Sequence, residues 1–292
     1  MIVVRLMGGM GNQLFQYAAG RSLAAHHGTD LAFDLSWFRK QGLRGYELSH
    51  FNTSARVASP RDLKRFLKRN RLLNWFFKQI QFLRPQECRS YFVEKSYYHV
   101  DPAFFRTPKD VYLDGYWQNA NYFRGLEAAL RREFSLRNPP SGENERILRE
   151  IQNTNSVSIH IRRGDFAVIS HTRSYHGVCP VEYYQKAIEL IIERVPNPRF
   201  LVFSDDPRWA KENLPLSSAE VRFVTHNPPD QAHEDLRLMV ACRHHVIANS
   251  SFSWWGAWLG ENAEQVAIAP RRWINAPHID SSGLFPERWL VL

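Results

Sequence analysis

Cysteine is scarce in this chain of 292 residues, which contains only Cys88, Cys179 and Cys242. Because no two of them have the CxxC spacing, the sequence predicts neither a zinc knuckle nor a disulfide framework. No apolar run reaches the roughly 18 residues that a transmembrane helix needs, and the apolar start at 2–4 is too short for the core of a signal peptide. These absences predict a soluble protein of a reducing compartment, the cytoplasm.

Acidic residues are outnumbered by basic ones, with 29 Asp and Glu against 38 Lys and Arg and a formal net charge of +9. This excess favours anionic partners, namely nucleotides, nucleic acid or an acidic membrane surface. No interleaved aromatic and basic motif typical of RNA binding occurs, so we expect no nucleic-acid partner.

Two common nucleotide-binding loops are also missing. No GxxxxGK[ST] segment occurs, which excludes a Walker phosphate loop. The segment 8–11 (GGMG) follows an apolar strand and begins like the dinucleotide motif GxGxxG, with Asp34 as the ribose ligand, but Leu14 stands at the third glycine. Asn12 and Gln13 instead place two amides at the start of the next helix. A tight turn capped by Asn12 is the simpler alternative.

Strands and helices alternate along most of the chain, which predicts parallel βαβ units. The segment 137–142 (RNPPSG) is the clearest linker because it is rich in residues that break regular structure. We therefore expect an α/β fold of two domains facing across a cleft, covering 1–150 and 151–292. The predicted strands are 2–6, 31–33, 111–113, 156–162, 199–203, 221–224, 245–248 and 265–269, and the predicted helices are 12–27, 181–194, 207–213, 231–241 and 252–259.

The strongest site candidate is the segment HIRRGD, which begins at His160. Apolar residues alternate with polar ones along 157–161, so His160 and Arg162 leave the same face of one strand. They lie at its carboxyl end, where open α/β sheets bind ligands, and a guanidinium suits a phosphate. The alternative is a local ion pair between Arg163 and Asp165 that closes the turn.

A second candidate follows the predicted strand 245–248. Asn249, Ser250 and Ser251 open the next helix, and Phe252 follows them. A serine or asparagine here can cap the helix, and the free backbone N–H groups can bind an anion. Since one cap needs fewer small polar residues, we expect these four residues to contact a ligand, with capping alone as the alternative.

A third candidate is the polar segment after strand 199–203. Asp206 is predicted to cap a helix whose first residue is Pro207, while Ser204 and Asp205 are expected to face the cleft. Paired carboxylates could suggest a divalent cation. No further carboxylate or histidine cluster completes a cage, so no metal is expected.

The stretch 61–84 carries eight Lys and Arg against one Asp, interleaved with leucines and aromatic residues. It could lie on an anionic membrane, which would make the protein peripheral to the inner membrane, or contact an acidic acceptor. The alternative is an ordinary helical stretch that buries its apolar face.

Four motifs, taken in their order along the chain, resemble glycosyltransferase family 11, the α-1,2-fucosyltransferases, in its bacterial type. Each motif alone is modest evidence, whereas their joint presence is specific, and the resemblance covers nearly the whole chain. The motifs are GGMGNQLFQY at 8–17, HIRRGD at 160–165, FSDDP with WAKEN at 203–213, and ANSSFSWWGAWL at 248–259.

This resemblance implies a GT-B fold, in which the C-terminal Rossmann-like domain holds GDP-fucose and the N-terminal one serves the acceptor. It also implies an inverting transfer of L-fucose to the 2-hydroxyl of a terminal β-galactoside, without metal or cofactor. The acceptor would be a galactose-terminated oligosaccharide, either free or lipid-linked.

The related α-1,6- and protein O-fucosyltransferases share the His-x-Arg-Arg pattern and the Ser-Ser helix start. By that resemblance Arg162 holds the β-phosphate, and Asp235 binds guanine, whose N1–H and N2–H₂ groups are donors. The alternative for Asp235 is a solvated helix surface. Asn12 matches an asparagine near the reacting sugar, and Gly11 and Gln13 flank it in the donor site.

Loss of the nucleotide leaves negative charge on its β-phosphate. Arg162, His160 and the helix that starts near Ser251 are expected to stabilise this charge. The galactose hydroxyl must lose a proton, and Asp165 is the candidate base. Asp165 could instead orient Arg162 or Arg163.

Three other functional classes remain compatible with the sequence. They are a transferase that uses another nucleotide sugar, an NAD-dependent oxidoreductase, which the incomplete GxGxxG motif argues against, and a non-catalytic module that binds glycan or RNA.

Overall fold

The computed structural model describes residues 1–40, 45–68, 70–95, 97–164, 174–216, 220–276 and 278–292. The chain forms two compact units. The first unit comprises Met1–Arg137 with Ser282–Leu284, and the second comprises Asn138–Ser281 with Phe285–Leu292. The division therefore falls within the predicted linker 137–142, ahead of the residue 150/151 boundary that the sequence analysis assigned.

The first unit contains a parallel sheet with the strand order β3-β2-β1-β5-β4. Its central strand, β1, is buried almost throughout, as expected for a parallel sheet whose faces are covered. The strands are β1 Ile2–Arg5, β2 Leu31–Asp34, β3 Arg56–Val57, β4 Tyr91–Val93 and β5 Val111–Asp114, and the helices are α1 Met10–His27, α2 Pro60–Phe66, α3 Arg71–Leu83 and α4 Glu127–Glu133.

Helix α1 begins at a glycine-rich turn and ends at Gly28, as the sequence predicts. Gly28 has φ 58° and ψ 45°, the left-handed conformation that glycine adopts without steric cost. The N-cap residue of the helix is Gly9, and no side-chain hydrogen bond caps the helix there. The prediction that Asn12 caps this helix is therefore wrong.

The short segment Ser282–Leu284 returns to the first unit from the far end of the chain. Asn119 Nδ2 donates hydrogen bonds to Gly283 O at 2.8 Å and to Tyr98 O at 2.6 Å. A Cβ atom on Gly283 would lie 2.4 Å from Tyr98 O, so only glycine allows this close approach.

The second unit contains a parallel sheet with the strand order β11-β10-β9-β6-β7-β8. Strand β6 lies between β7 and β9, and it pairs with β7 along its whole length and with β9 at residues 157–159. The strands are β6 Asn155–Ile161, β7 Pro198–Ser204, β8 Glu220–Val224, β9 His244–Val246, β10 Ala267–Ala269 and β11 Leu290–Val291, and the helices are α5 Gly142–Gln152, α6 Val181–Arg194, α7 Pro207–Asn213, α8 Ala232–Ala241 and α9 Ser251–Leu259.

Alternate residues of β7 pack into two separate cores. Phe200 and Val202 join a cluster with α6, whereas Leu201 and Phe203 join a cluster with α5 and α8. Helices therefore cover both faces of the sheet, as in doubly wound α/β folds. Two such parallel-sheet units confirm the predicted GT-B class.

The basic stretch 61–84 is not one helix but two, α2 and α3. Helix α2 buries Phe66 in a small core with Val3, Tyr91 and Tyr112. In helix α3, by contrast, several large apolar side chains are exposed to solvent. The expectation of a buried apolar face thus holds for α2 and is wrong for α3.

Membrane-crossing helices were sought in the described ranges. None of the helices there combines the length and the apolar character that spanning a bilayer requires.

Gly20 sets the distance between α1 and the first sheet. A Cβ atom at Gly20 would lie 2.3 Å from Val4 Cγ2 and 3.0 Å from Leu31 Cδ1. We expect Gly20→Ala to destabilise the protein by about 1–3 kcal/mol, because the added methyl overpacks a closed core. The matched control is Gly45→Ala, whose Cβ would meet nothing nearer than Glu47 Oε1 at 3.9 Å. Equal midpoints of thermal unfolding for the two variants would contradict this role of Gly20.

Candidate functional site

The carboxyl ends of β6 and β7 bring Arg162 and Asp205 together. The register pairs Ile161 with Ser204, so the residues that follow them are neighbours. Arg162 Nη1 lies 3.0 Å from Asp205 Oδ2, and Asp205 Oδ1 accepts a hydrogen bond from the Arg163 backbone N–H at 2.7 Å. Asp205 therefore holds both the side chain and the backbone of this turn in place.

Gly164 permits this arrangement. A Cβ atom there would lie 2.7 Å from Asp205 Oδ2, which is the atom that pairs with Arg162. The segment HIRRGD thus contains its glycine for a steric reason, and a larger residue would push the carboxylate away from the guanidinium.

Arg163 contacts Asp206 and Trp209. Its Nε lies 3.5 Å from Asp206 Oδ2, and its guanidinium carbon lies 4.0 Å from the centre of the Trp209 ring. Asp206 also caps α7, as predicted, by accepting a hydrogen bond from Trp209 N at 3.1 Å. Asp165, the candidate base, lies outside the described residues.

His160 is buried, with its ring 5.6 Å from that of Phe252. Burial, and then the positive charge of Arg162, lower the pKa of His160 to about 3. Its Nδ1 has no hydrogen-bond partner among the described residues. His160 is therefore a neutral hydrogen-bonding group beside Arg162 at physiological pH, and it adds no positive charge of its own.

Asn249 is buried and fully hydrogen-bonded to the protein. Its Nδ2 donates to the carbonyl oxygens of His176, Gly177 and Trp273 at 3.1, 3.3 and 3.3 Å, and Cys179 Sγ donates to its Oδ1 at 3.4 Å. The side chain thus ties together segments of the second unit. Its predicted contact with a ligand stays a prediction.

The start of α9 has the cap that the sequence predicts. Ser250 is the N-cap, and its hydroxyl accepts a hydrogen bond from Phe252 N at 3.3 Å. Ser251 is the first residue of the helix. The backbone N–H groups of this first turn carry the partial positive charge of the helix dipole, so an anion would be favoured there. Ser204, at the end of β7, instead accepts a hydrogen bond from Asp206 N at 2.9 Å.

Asp235 belongs to a polar network that the sequence analysis missed. Its Oδ1 accepts a hydrogen bond from Asn227 Nδ2 at 2.7 Å, Asn227 Oδ1 accepts from Asn144 Nδ2 at 2.8 Å, and His226 Nε2 lies 2.7 Å from Asn144 Oδ1. Burial raises the pKa of Asp235 to about 6, against the lowering effect of the Asn227 hydrogen bond. A partly buried, pre-oriented carboxylate contradicts the alternative of a solvated helix surface.

In the first unit, the Gln13 amide fastens the glycine turn to a neighbouring loop. Its Nε2 donates to Gly8 O at 3.1 Å and to Gly45 O at 2.9 Å, and its Oε1 accepts from Glu47 N at 2.9 Å. The side chain is completely buried. Gln13 therefore shapes the turn, and its place in the donor site stays a prediction.

Asn12 lies in the first turn of α1 beside Gly11, which is buried. Gln118 Nε2 donates a hydrogen bond to Asn12 Oδ1 at 2.7 Å. A Cβ atom on Gly8, which has φ +77°, would lie 2.5 Å from Asn12 Nδ2. The turn and Gln118 together fix the orientation of the Asn12 amide.

Glu94 is a buried carboxylate that the sequence analysis did not single out. It follows β4, and its two carboxylate oxygens accept hydrogen bonds from Tyr116 N at 2.6 Å and Trp117 N at 3.0 Å. Burial raises its pKa to about 7. Trp117 has φ 57°, a strained value for a residue other than glycine. Glu94 thus holds the loop that carries Gln118.

Asp34 cannot serve as the ribose ligand of a dinucleotide. It is buried, and its Oδ2 accepts a hydrogen bond from Tyr112 Oη at 2.6 Å. Ser36 donates to both oxygens, from its backbone N at 2.8 Å and its hydroxyl at 3.0 Å. With both oxygens occupied, the oxidoreductase alternative loses its remaining support.

Among the residues that the structure describes, no group of three or more His, Cys, Asp or Glu side chains could hold a metal ion. The expectation of metal-independent chemistry stays a prediction.

Two parallel α/β units, with a fixed arginine at the end of a central strand, define a glycosyltransferase of the GT-B class. The chain belongs to glycosyl transferase family 11, whose sequence model matches residues 1–292.

Two relatives and one solved structure are similar to this chain. An Escherichia coli alpha-1,2-colitosyltransferase is 34% identical, with 99% of this chain and 98% of the relative covered. A Mus musculus galactoside 2-alpha-L-fucosyltransferase, Sec1, is 26% identical, with 89% of this chain and 64% of the relative covered. The structure of an Arabidopsis thaliana FUT1 mutant in complex with GDP is similar in fold, with a TM-score of 0.50, 11% identity, and coverage of 91% of this chain and 71% of that chain.

Proposed function

We propose that this glycosyltransferase moves L-fucose from GDP-β-L-fucose to the 2-hydroxyl of a terminal β-galactoside, with inversion and without a metal ion. The observation that carries the proposal is Arg162, fixed at the end of β6 by Asp205, in a chain whose whole length belongs to family 11. Relatives with the names 1,2-colitosyltransferase and 2-α-L-fucosyltransferase support both the class of sugar and the hydroxyl attacked.

The leaving group is the β-phosphate of GDP, and Arg162 is the group that stabilises it. Its guanidinium is partly buried and already oriented by Asp205, so it needs little reorganisation when negative charge develops. His160 beside it donates one neutral N–H, and the first turn of α9 offers backbone N–H groups. These three groups share the work that a divalent cation performs in other transferases.

Asp235 is the proposed guanine ligand. The ionised carboxylate accepts hydrogen bonds from guanine N1–H and N2–H₂, and Asn227 holds it in place for that purpose. Adenine lacks this pair of adjacent donors, so the same carboxylate favours GDP-sugars over ADP-sugars.

In the first unit, Asn12 is proposed to lie near the reacting sugar, with its amide oriented by Gln118. Asp165 is proposed to take the proton from the galactose 2-hydroxyl. The acceptor is a galactose-terminated oligosaccharide, either free or lipid-linked.

A second candidate function is transfer of colitose, because the relative that is 34% identical over nearly the whole chain bears that name. Colitose is L-fucose without its 3-hydroxyl, so both donors present the same diphosphate and guanine to this site. Discrimination would rest on a group that hydrogen-bonds the fucose 3-hydroxyl, since an unpaired polar group penalises the deoxy sugar.

The test of function is a panel of donors and acceptors. Purified protein with lactose should produce a fucosylated trisaccharide from GDP-fucose and should give little product from GDP-mannose or UDP-galactose. GDP-colitose in the same assay decides between the two candidates by the ratio of kcat/KM values. Linkage analysis should place the new bond at the galactose 2-hydroxyl. Absence of transfer from both GDP-fucose and GDP-colitose to any β-galactoside would reject the proposal.

We expect Arg162→Ala to lower kcat/KM by at least about 100-fold, because it removes a pre-oriented charge that acts on the leaving group. Arg162→Lys should recover only part of this loss, since an ammonium cannot fork onto two phosphate oxygens. Arg208→Ala is the control, as Arg208 is exposed on α7 and pairs only along its own helix with Glu212. Near-wild-type turnover of Arg162→Ala would contradict the phosphate role.

We expect the affinity for GDP to weaken as the pH falls through 6. The pKa of Asp235 is about 6 in the free protein, and below that value the protonated carboxyl loses its charge as an acceptor. Isothermal titration of GDP between pH 7.5 and 5 should therefore show about a tenfold loss that Asp235→Asn lacks. The phosphates of GDP titrate equally with both proteins, so the difference between them reports Asp235 alone. Parallel pH profiles would remove Asp235 from the guanine site.

A further inference from the structure

Helix α3 presents an apolar face to solvent. Six large apolar side chains of this helix are each half or more exposed, and their spacing places them on one side of the helix. We call them the outer face of α3. They are Leu72, Leu73, Trp75, Phe76, Ile80 and Leu83.

The opposite side of α3 packs against the first unit, and it carries polar residues together with Phe77, which joins the small core around Phe66. Gln81 is buried and its Oε1 accepts a hydrogen bond from Ser90 N at 2.9 Å. Lys78 Nζ lies 4.2 Å from the centre of the Tyr91 ring and 3.6 Å from Asp114 Oδ2. Turning the outer face inward would move Lys78 and Gln81 away from these partners and break the contacts, so the helix is held with its outer face toward solvent.

The sequence stretch that contains this apolar face is strongly basic. Residues 61–84 carry eight Lys and Arg and a single acidic residue, Asp62. Asp62 is occupied, because it caps α2 through Ser59 and pairs with Arg56 at 2.6 Å. Lys64 and Lys68 are exposed on the preceding segment, and Lys68 Nζ lies 4.9 Å from the centre of the Phe77 ring.

We propose that α3 docks the protein on the surface of an anionic phospholipid bilayer. The outer face enters the boundary between headgroups and acyl chains, where tryptophan and phenylalanine are favoured, and the surrounding lysines and arginines contact the lipid phosphates. An exposed apolar helix face next to exposed lysines has the two kinds of group that an anionic interface accepts together. An isologous dimer through α3 would set the two basic stretches against each other, so charge disfavours a second copy as the occupant.

The experiment is co-flotation of the full-length protein with vesicles. The protein should float with vesicles of phosphatidylglycerol and phosphatidylcholine, should remain unbound with phosphatidylcholine alone, and should be released as NaCl is raised, because salt screens the cationic contacts. Recovery of the wild-type protein in the unbound fraction with phosphatidylglycerol vesicles would overturn the proposal.

A matched pair of variants tests the apolar contribution. Ile80 on α3 and Ile192 on α6 are both 52% exposed. Ile80→Gln should lower the vesicle partition coefficient by about tenfold, the value expected for losing the burial of one aliphatic side chain. Ile192→Gln should leave it unchanged, and equal partition of the two variants would contradict docking through α3.

A second matched pair tests the charge. Lys64→Glu with Lys68→Glu should lower partition by at least about tenfold, whereas Lys186→Glu with Arg194→Glu, an exposed pair on α6, should have a smaller effect. Equal effects would mean that only net charge matters and would overturn the assignment to this face. Transfer of sugar to lactose, a soluble acceptor, serves as the folding check for every variant.

Sedimentation equilibrium without lipid tests the other candidate occupant of the outer face, a second copy of the chain. If wild type is a dimer that Ile80→Gln converts to a monomer, and vesicles bind neither, the outer face is an interface between two copies and the membrane proposal is wrong. A monomeric wild type that floats with anionic vesicles supports it.

Discussion

The ion pair between Arg162 and Asp205 depends on a single alignment, the register of β6 with β7. Both side chains lie just beyond strands that stop at the same level, and Gly164 leaves the space that the carboxylate needs. A shift of one residue would turn Arg162 to the other face of the sheet. The cores on both sides of β7 therefore contribute to the position of the arginine.

The chemistry of the site follows from which groups retain their charge. Arg162 is a permanent cation that is partly solvated, whereas His160 beside it is neutral because burial and the neighbouring guanidinium both oppose its protonation. Asp235 can change its charge near neutral pH. In the proposed function, the fixed positive charge of Arg162 serves the phosphate and the titratable carboxylate of Asp235 serves the guanine.

Much of this organisation is predictable from sequence, because period-two and helical patterns are strong where elements are long. Helices α6 and α7 match their predicted bounds, and Gly28 ends α1 as expected. Three short strands, β3, β4 and β11, are missed because two or three residues cannot display a period. The cap at Ser250 is predictable from local chemistry alone.

What the sequence leaves open has a common cause, since partners distant in sequence decide what a polar side chain does. Gln13 and Asn249 are predicted as ligand contacts, and the sequence gives no sign of the three backbone partners that each amide has in the structure. Glu94 and the Asn144–Asn227 network carry no local signal for the same reason. Helix α3 shows the limit of amphipathic patterns. The pattern shows that the helix has an apolar side and a polar side, but it does not show which side packs against the protein.

The return of Ser282–Leu284 to the first unit has a consequence for modularity. The chain passes between the units three times, at the linker, before Ser282 and after Leu284. A chimera of two family members joined at the linker would therefore give the first unit of one parent the Gly283 segment of the other. We therefore expect such a chimera to fold only where both parents have the same residues in contact with Asn119.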